Sequence, residues 1–340
     1  MIDPKETAQE AGLRYVTDQS PGIRRKRKGK SFQYIDDHHG KVSCEKTLQR
    51  IKSLVIPPAW ENVWICRLTN GHLQVTGRDA RLRKQYRYHE KWNIERKNTK
   101  FEHIKEMGEA LPVLRKRIEA DLKLKGLPKE KVLAAVVKVM LITQSRVGNA
   151  AYAEENESYG LTTILNEHAK VRGSKIKLSF RGKSGVDHDI SIVDKTLSKI
   201  ISRCQHLPGE ELFAYINDEG NAVDVNSADV NTYLREVTGK DFTAKDLRTW
   251  GGTCKALELI TQLKCIEYKV SETHWKRRHL EVIKETAQHL RNTVSVCRKY
   301  YIHPLIFEAD KSGKIHKLWK VVKKRPSFER HEVLLLKLIS

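Results

Sequence analysis

Two adjacent tyrosines, Tyr300 and Tyr301, lie in the stretch Arg291-Asn-Thr-Val-Ser-Val-Cys-Arg-Lys-Tyr-Tyr-Ile-His-Pro304, with Arg298, Lys299 and His303 around them. A phenol normally titrates near pH 10, so it attacks poorly at neutral pH unless cations stabilise the phenolate as it forms. A tyrosine set among basic residues is therefore a candidate nucleophile. The plain alternative is one core ring and one surface ring beside a solvated basic run. This window alone separates neither those two readings nor Tyr300 from Tyr301. The nucleophile reading gains force only if the chain supplies further phosphate-binding groups elsewhere.

Charge is the total that bears on this most directly. Across 340 residues the formal net charge is +22, and the basic residues are spread along the whole chain. Such an excess repels itself in the compact state and points to a polyanionic partner. Nucleic acid fits better than a membrane surface, because no basic amphipathic helix with a Trp/Leu face stands out. No apolar run reaches the roughly 18 residues of a spanning helix, and the opening Met1-Ile-Asp-Pro-Lys-Glu-Thr-Ala does not read as a signal peptide. Cys44, Cys66, Cys204, Cys254, Cys265 and Cys297 form no C-x-x-C pair, so free thiols in a reducing cytoplasm are expected. Asp36-Asp37-His38-His39 has a metal-like composition, but beside Gly40 and between two strand-like runs it reads as an exposed turn.

The length allows two domains. Residues 1–100 read as mostly β with one short helix. Ile23–Ile35 forms two strands about Gly29, Cys44–Leu54 is helical, and Asn62–Leu68 pairs with His72–Thr76 across Thr69-Asn-Gly71. The run Gly77-Arg-Asp-Ala-Arg-Leu-Arg-Lys-Gln-Tyr-Arg-Tyr88 mixes five cations with Gln85, Tyr86 and Tyr88. It suits a DNA surface, with Arg83 and Lys84 on phosphates and Gln85, Tyr86 or Tyr88 near bases; the alternative is a solvated strand with two buried rings.

From about residue 101 the period becomes helical. Ile104, Met107, Leu111, Leu114, Ile118 and Leu122 form one stripe, with a kink expected at Pro112. Lys129–Gln144 is apolar enough to be nearly buried and delivers Ser145-Arg146-Val-Gly148-Asn149 to its end. Leu161–Leu165, Ile176–Phe180 and Asp187–Val193 read as strands, the last two flanking a hairpin tip that projects Lys183. Helices follow near 195–206, 227–237, 243–263 and 278–290, with Thr243 as an N-cap. A basic run at 314–325 precedes a short apolar helix, Glu332–Ile339.

Several motifs then occur in a telling order: Ser145-Arg146-Val-Gly-Asn, Phe180-Arg-Gly-Lys183-Ser-Gly, Lys245-Asp-Leu-Arg248-Thr-Trp-Gly, and Asn292 nine residues before Tyr301. Together with the Gly77–Tyr88 run, this order resembles the type IB DNA topoisomerases of the compact poxvirus and bacterial kind, over nearly the whole chain. The resemblance implies an α+β protein of the topoisomerase/tyrosine recombinase kind. Residues 1–100 would be a small β-rich DNA-binding domain, and 101–340 a mainly α-helical catalytic domain with a small three-stranded sheet, the two clamping double-stranded DNA. It implies Tyr301 as nucleophile, Arg146, Lys183, Arg248 and Asn292 around the scissile phosphate, and Lys245 as a further basic contact. Gln85, Tyr86 and Tyr88 fall in the matching DNA-contacting strand. The sequence departs from the family at Arg291 and Val294, where relatives commonly carry Gly and Pro.

The chemistry agrees with those residue types. Attack on a phosphodiester builds charge on the non-bridging oxygens, which two guanidiniums can bind with paired donors and a lysine cannot. A lysine on a hairpin tip suits the general acid that protonates a deoxyribose 5′ oxygen; its plain alternative is a phosphate contact. A 3′-phosphotyrosyl bond keeps the energy of the original ester, so no ATP is expected. No P-loop is present, nor a carboxylate cluster for a metal, and neither a cofactor nor a metal is expected. The expectation is thus a monomeric, cytoplasmic, nucleoid-associated enzyme that relaxes supercoils. A tyrosine recombinase shares the nucleophile and arginines, but it usually carries His-x-x-Arg where this chain has Lys245-x-x-Arg248.

Overall fold

The alternating and helical patterns sort the chain into two compact units, residues 1–102 and 103–340. The structure is a computed structural model that describes residues 4–29, 31–38, 40–266 and 270–340, with backbone alone for 96–102.

The first unit is built on one antiparallel sheet. Its strands are β1 (Ile23–Lys28), β2 (Ser31–Asp36), β3 (Gly40–Lys41), β4 (Glu61–Ile65), β5 (Leu73–Arg78) and β6 (Lys84–Tyr88), in the order β3-β2-β1-β4-β5-β6. Helices α1 (Pro4–Glu10) and α2 (Glu45–Ser53) lie outside the sheet, and α3 (Glu90–Asp121) follows it. Ile51 of α2 packs with Ile23, Val63, Ile65 and Val75 to form the core. The Asp36–His38 turn is structural, since Asp37 accepts from the Gly22 N–H at 3.0 Å and Asp36 pairs with Arg67 at 3.1 Å. His39 lies outside the described residues. Two helical features were not expected. One is α1, whose Ala8 packs on Leu13 and Trp92. The other is the start of α3 at Glu90, about ten residues early, because the polar run 95–100 carries no apolar period. Helix α3 continues through Pro112.

The second unit is helical around α4 (Lys129–Thr143), which is buried along most of its length. Then come α5 (Ala150–Asn156), the sheet β7 (Ala169–Arg172), β8 (Lys175–Gly182) and β9 (Val186–Val193), and α6 (Lys195–Cys204). A small hairpin, β10 (Ala214–Ile216) and β11 (Ala222–Asp224), leads to α7 (Ser227–Thr238), α8 (Ala244–Gln262) and α9 (Glu272–His289). The chain closes with α10 (Val294–Tyr300), α11 (Leu305–Lys311), α12 (Lys314–Val321) and α13 (Arg330–Ile339). All six residues of the expected α3 stripe are buried. The expected strand at Leu161–Leu165 is a correction: 161–163 is one turn of 3₁₀ helix. Gly160 N–H donates to Thr163 Oγ1 at 3.0 Å and Thr163 N–H returns to the Gly160 carbonyl at 2.9 Å, which closes a turn there. The first strand is β7 instead, where Ala169 and Val171 alternate with Lys170 and Arg172 over only four residues, too short a run to stand out. Helix α9 begins at Glu272, capped by Ser271, earlier than the apolar period that starts near Leu280.

Candidate active site

Arg146 is placed by its backbone. Helix α4 stops where Gln144 turns left-handed (φ 54°), and the following segment lies along 158–163. Leu161 N–H donates to the Arg146 carbonyl at 2.9 Å and Thr162 N–H to that of Val147 at 2.6 Å. The two segments approach so closely that a Cβ on Gly160 would sit 2.4 Å from the Gly148 Cα. Gly148 itself has φ 115°, which a side chain would strain. From this fixed point Arg146 Nη2 reaches Asn292 Oδ1 at 2.7 Å.

Asn292 sits just past the end of α9. Arg291 N–H donates to the Gln288 carbonyl at 3.0 Å and Asn292 N–H to that of Ala287 at 2.8 Å, a Schellman ending with Arg291 in the left-handed position (φ 50°). Arg248, on the first turns of α8, is only 3% exposed. Its Nη2 donates to the Leu290 carbonyl at 3.0 Å. Its Nε and Nη1, and the Nδ2 of Asn292, are buried donors without a hydrogen-bond partner. Burial, then repulsion from Arg146, pulls the Arg248 guanidinium down to about 10 against the attraction of Tyr301. Burial likewise lowers Arg146. Two desolvated guanidiniums and three unpaired donors form a cradle that an anion would complete.

Tyr301 is the C-cap that follows α10, half-buried, with its ring centroid 5.3 Å from the Arg248 Cζ. Its carbonyl accepts from Thr253 Oγ1 at 3.3 Å. That approach depends on Gly252, because a Cβ there would lie 2.7 Å from the Tyr301 carbonyl oxygen. Tyr300 is 40% exposed, with Lys299 Nζ 5.1 Å from its ring. Lys183 is exposed on the β8–β9 tip, where Ser184 (φ 66°) and Gly185 (φ 73°) reverse the chain, and its Nζ stands 5.5 Å from the Tyr152 ring. Arg146, Lys183, Lys245, Arg248 and Tyr301 line one cleft. Arg146, Lys183 and Asn292 line its neighbour. Tyr300 lines neither.

The expected contacts of the first unit lie on β6 and the turn before it. Tyr86 and Tyr88 are exposed and stacked, centroids 6.0 Å apart at 8°, so neither is the buried ring of the alternative reading. Arg83 Nε and Nη2 and Gln85 Nε2 all donate to Asp79 within 2.9 Å, and Lys84 pairs with Asp18 at 2.6 Å. A phosphate binding there would exchange these internal pairs. Among the described residues, no three His, Cys, Asp or Glu side chains group as a metal site would need, and no helix is long and apolar enough to cross a membrane.

The family model described as Eukaryotic DNA topoisomerase I, catalytic core, matches residues 88–325. The chain belongs to the type IB DNA topoisomerase family. A second family model, Bacterial DNA topoisomerase IB, N-terminal domain, matches residues 31–79 of this topoisomerase. DNA topoisomerase 1B of Acanthamoeba polyphaga mimivirus is 32% identical over 286 residues, covering 83% of this chain and 85% of the relative. DNA topoisomerase 1B of Vaccinia virus (strain Copenhagen) is 25% identical over 256 residues, 73% of this chain and 75% of its own. DNA topoisomerase 1 of Rabbit fibroma virus (strain Kasza) is 24% identical, with 78% and 83% covered. The chain is thus an isomerase that acts on DNA, and the recombinase alternative is not favoured.

The topoisomerase also holds groups near the cleft that sequence reading gave no role. His188, on β9, is buried against Phe180 (centroids 4.6 Å apart) and both its ring nitrogens lack a partner. Burial, then the charges of Arg291, Arg146 and Arg248, pushes it down to about 4. The signal was there: His188 shares the inward face of β9 with Ile190 and Ile192. Arg291 Nη2 donates to the Asp189 carbonyl at 3.2 Å, a contact between distant segments that no local pattern announces.

Proposed function

We propose that the enzyme relaxes supercoiled double-stranded DNA by transient cleavage of one strand through a 3′-phosphotyrosyl intermediate. The Tyr301 phenolic oxygen attacks the phosphorus, its proton passing to water. The bond from phosphorus to the 5′ oxygen breaks, and the Lys183 ammonium supplies the proton that oxygen takes. Arg146, Arg248 and Asn292 bind the non-bridging oxygens as charge builds on them. Lys245 adds a phosphate contact at the rim. Torsion turns the free 5′ end before it attacks the phosphotyrosyl ester and reseals the strand. Energy is conserved in that ester, so neither ATP nor a metal ion is required. Arg83, Lys84, Gln85, Tyr86 and Tyr88 contact the duplex from the β-rich unit. The enzyme works as a monomer on nucleoid DNA in the cytoplasm.

The observation that carries this reading is the set of buried, unpaired donors on Arg248 and Asn292 in the pocket region that Tyr301 and Arg146 also line. Such groups are costly to leave unsatisfied and suit an oxyanion. The test is incubation with supercoiled plasmid in EDTA without ATP. The reading expects relaxed topoisomers from the wild-type protein and none from Tyr301→Phe, which should still bind DNA. Relaxation that appears only on adding ATP and Mg²⁺ would sink it.

A further inference from the structure

We propose that Arg291 is a positioning residue for Lys183, tying the hairpin that carries the acid to the loop that carries Asn292. The inference rests on the reading of Lys183 as general acid. Three features of Arg291 support it. It is a non-glycine residue held left-handed at φ 50°, in the position of a helix ending that glycine fills most easily. Nothing about the turn itself calls for arginine. Its guanidinium Nη2 donates to the Asp189 carbonyl at 3.2 Å, and β9 is the edge strand of its sheet, so this contact grips the hairpin by an outward carbonyl. Its own carbonyl accepts from Arg146 Nη1 at 3.5 Å, while Asn292, the next residue, accepts from Arg146 Nη2 at 2.7 Å. One residue thus joins the Arg146 and Asn292 side of the cleft to the strand that follows Lys183.

What lies beneath the hairpin makes such a tie useful. Gly182, just before Lys183, has no side chain, and the His188 ring fills the place: a Cβ at Gly182 would lie 2.4 Å from its Nε2. Both His188 nitrogens lack a partner, so no hydrogen bond from that ring orients the tip. The tip itself is exposed, with left-handed Ser184 and Gly185. The Arg291 contact therefore supplies a fixed reference for a lysine that must meet the leaving 5′ oxygen within hydrogen-bond reach as the phosphorus–oxygen bond breaks.

The test pairs two substrates with two variants in single-turnover cleavage at a mapped site in a duplex oligonucleotide. In one duplex the leaving atom is the normal 5′ oxygen. In the other it is a bridging sulfur, which departs as a thiolate without a proton. Arg291→Gly should slow adduct formation on the oxygen ester by ten-fold or more and on the sulfur ester by less than about two-fold, with a melting temperature equal to or above wild type because glycine relaxes the left-handed turn. Equal slowing of both esters, or no slowing of either, would overturn the inference. Lys183→Ala, assayed alongside, separates the two levels. If sulfur restores Lys183→Ala but not Arg291→Gly, only the positioning role fails. If sulfur does not restore Lys183→Ala, the acid assignment fails and the inference with it.

Discussion

Arg248 shows at the scale of one residue how cost and function meet. A guanidinium 3% exposed, beside a second one, with two of its nitrogens unpaired, is a poor contribution to the stability of the free protein. An anion in the cradle would offset that cost. Arg248→Ala should therefore lower the rate of covalent adduct formation on the order of 10²–10³. Arg248→Lys should recover little of that, since an ammonium cannot present two parallel donors. A lysine variant at near wild-type rate would contradict the paired-donor role. His188 carries a pH consequence. Its folded-state value of about 4 lies below the 6.5 of an unperturbed imidazole, so the unfolded chain binds the proton more tightly. Stability is fully present above about pH 6.5 and falls as pH drops toward 4, by about 3 kcal/mol for the whole shift. Urea denaturation across that range should show a shallower acid limb for His188→Phe than for wild type.

Gly252 in α8 illustrates what elements impose on each other. An alanine in a helix interior normally gains about 1 kcal/mol over glycine. Here the added Cβ would lie 2.7 Å from the Tyr301 carbonyl oxygen and 2.9 Å from Leu290 Cδ1. Gly252→Ala should instead cost about 1–3 kcal/mol by overpacking and slow cleavage by displacing the tyrosine, which thermal melts and adduct kinetics would both report. The elements that were legible in the sequence are those with a strong period: the α3 stripe, buried α4, and the hairpin β8–β9 around Lys183. Helices α1 and α5 and strand β7 were not, because short or polar elements owe their form to tertiary partners. Of the candidate site only residue types in order were legible; that Arg146, Lys183, Lys245, Arg248 and Tyr301 line one cleft is a fact of the fold. The tie from Arg291 to the Asp189 carbonyl was invisible, because backbone acceptors leave no trace in residue identity.

The molecule as a whole carries +22 on 340 residues. If DNA binding discharges this excess, counterion release dominates affinity. Raising salt from about 50 to 200 mM should weaken DNA binding by roughly 10³–10⁵ for some 6–10 phosphate contacts; a nearly flat salt profile in a titration would deny the electrostatic account. The measurement that tests the central claim most directly is a peptide map of the adduct trapped by denaturant on a labelled duplex. The account predicts the DNA 3′ end on the peptide containing Tyr301, with the adduct lost in Tyr301→Phe and kept in Tyr300→Phe. Label on Tyr300, or protein that is never attached to a 3′ end, would contradict it.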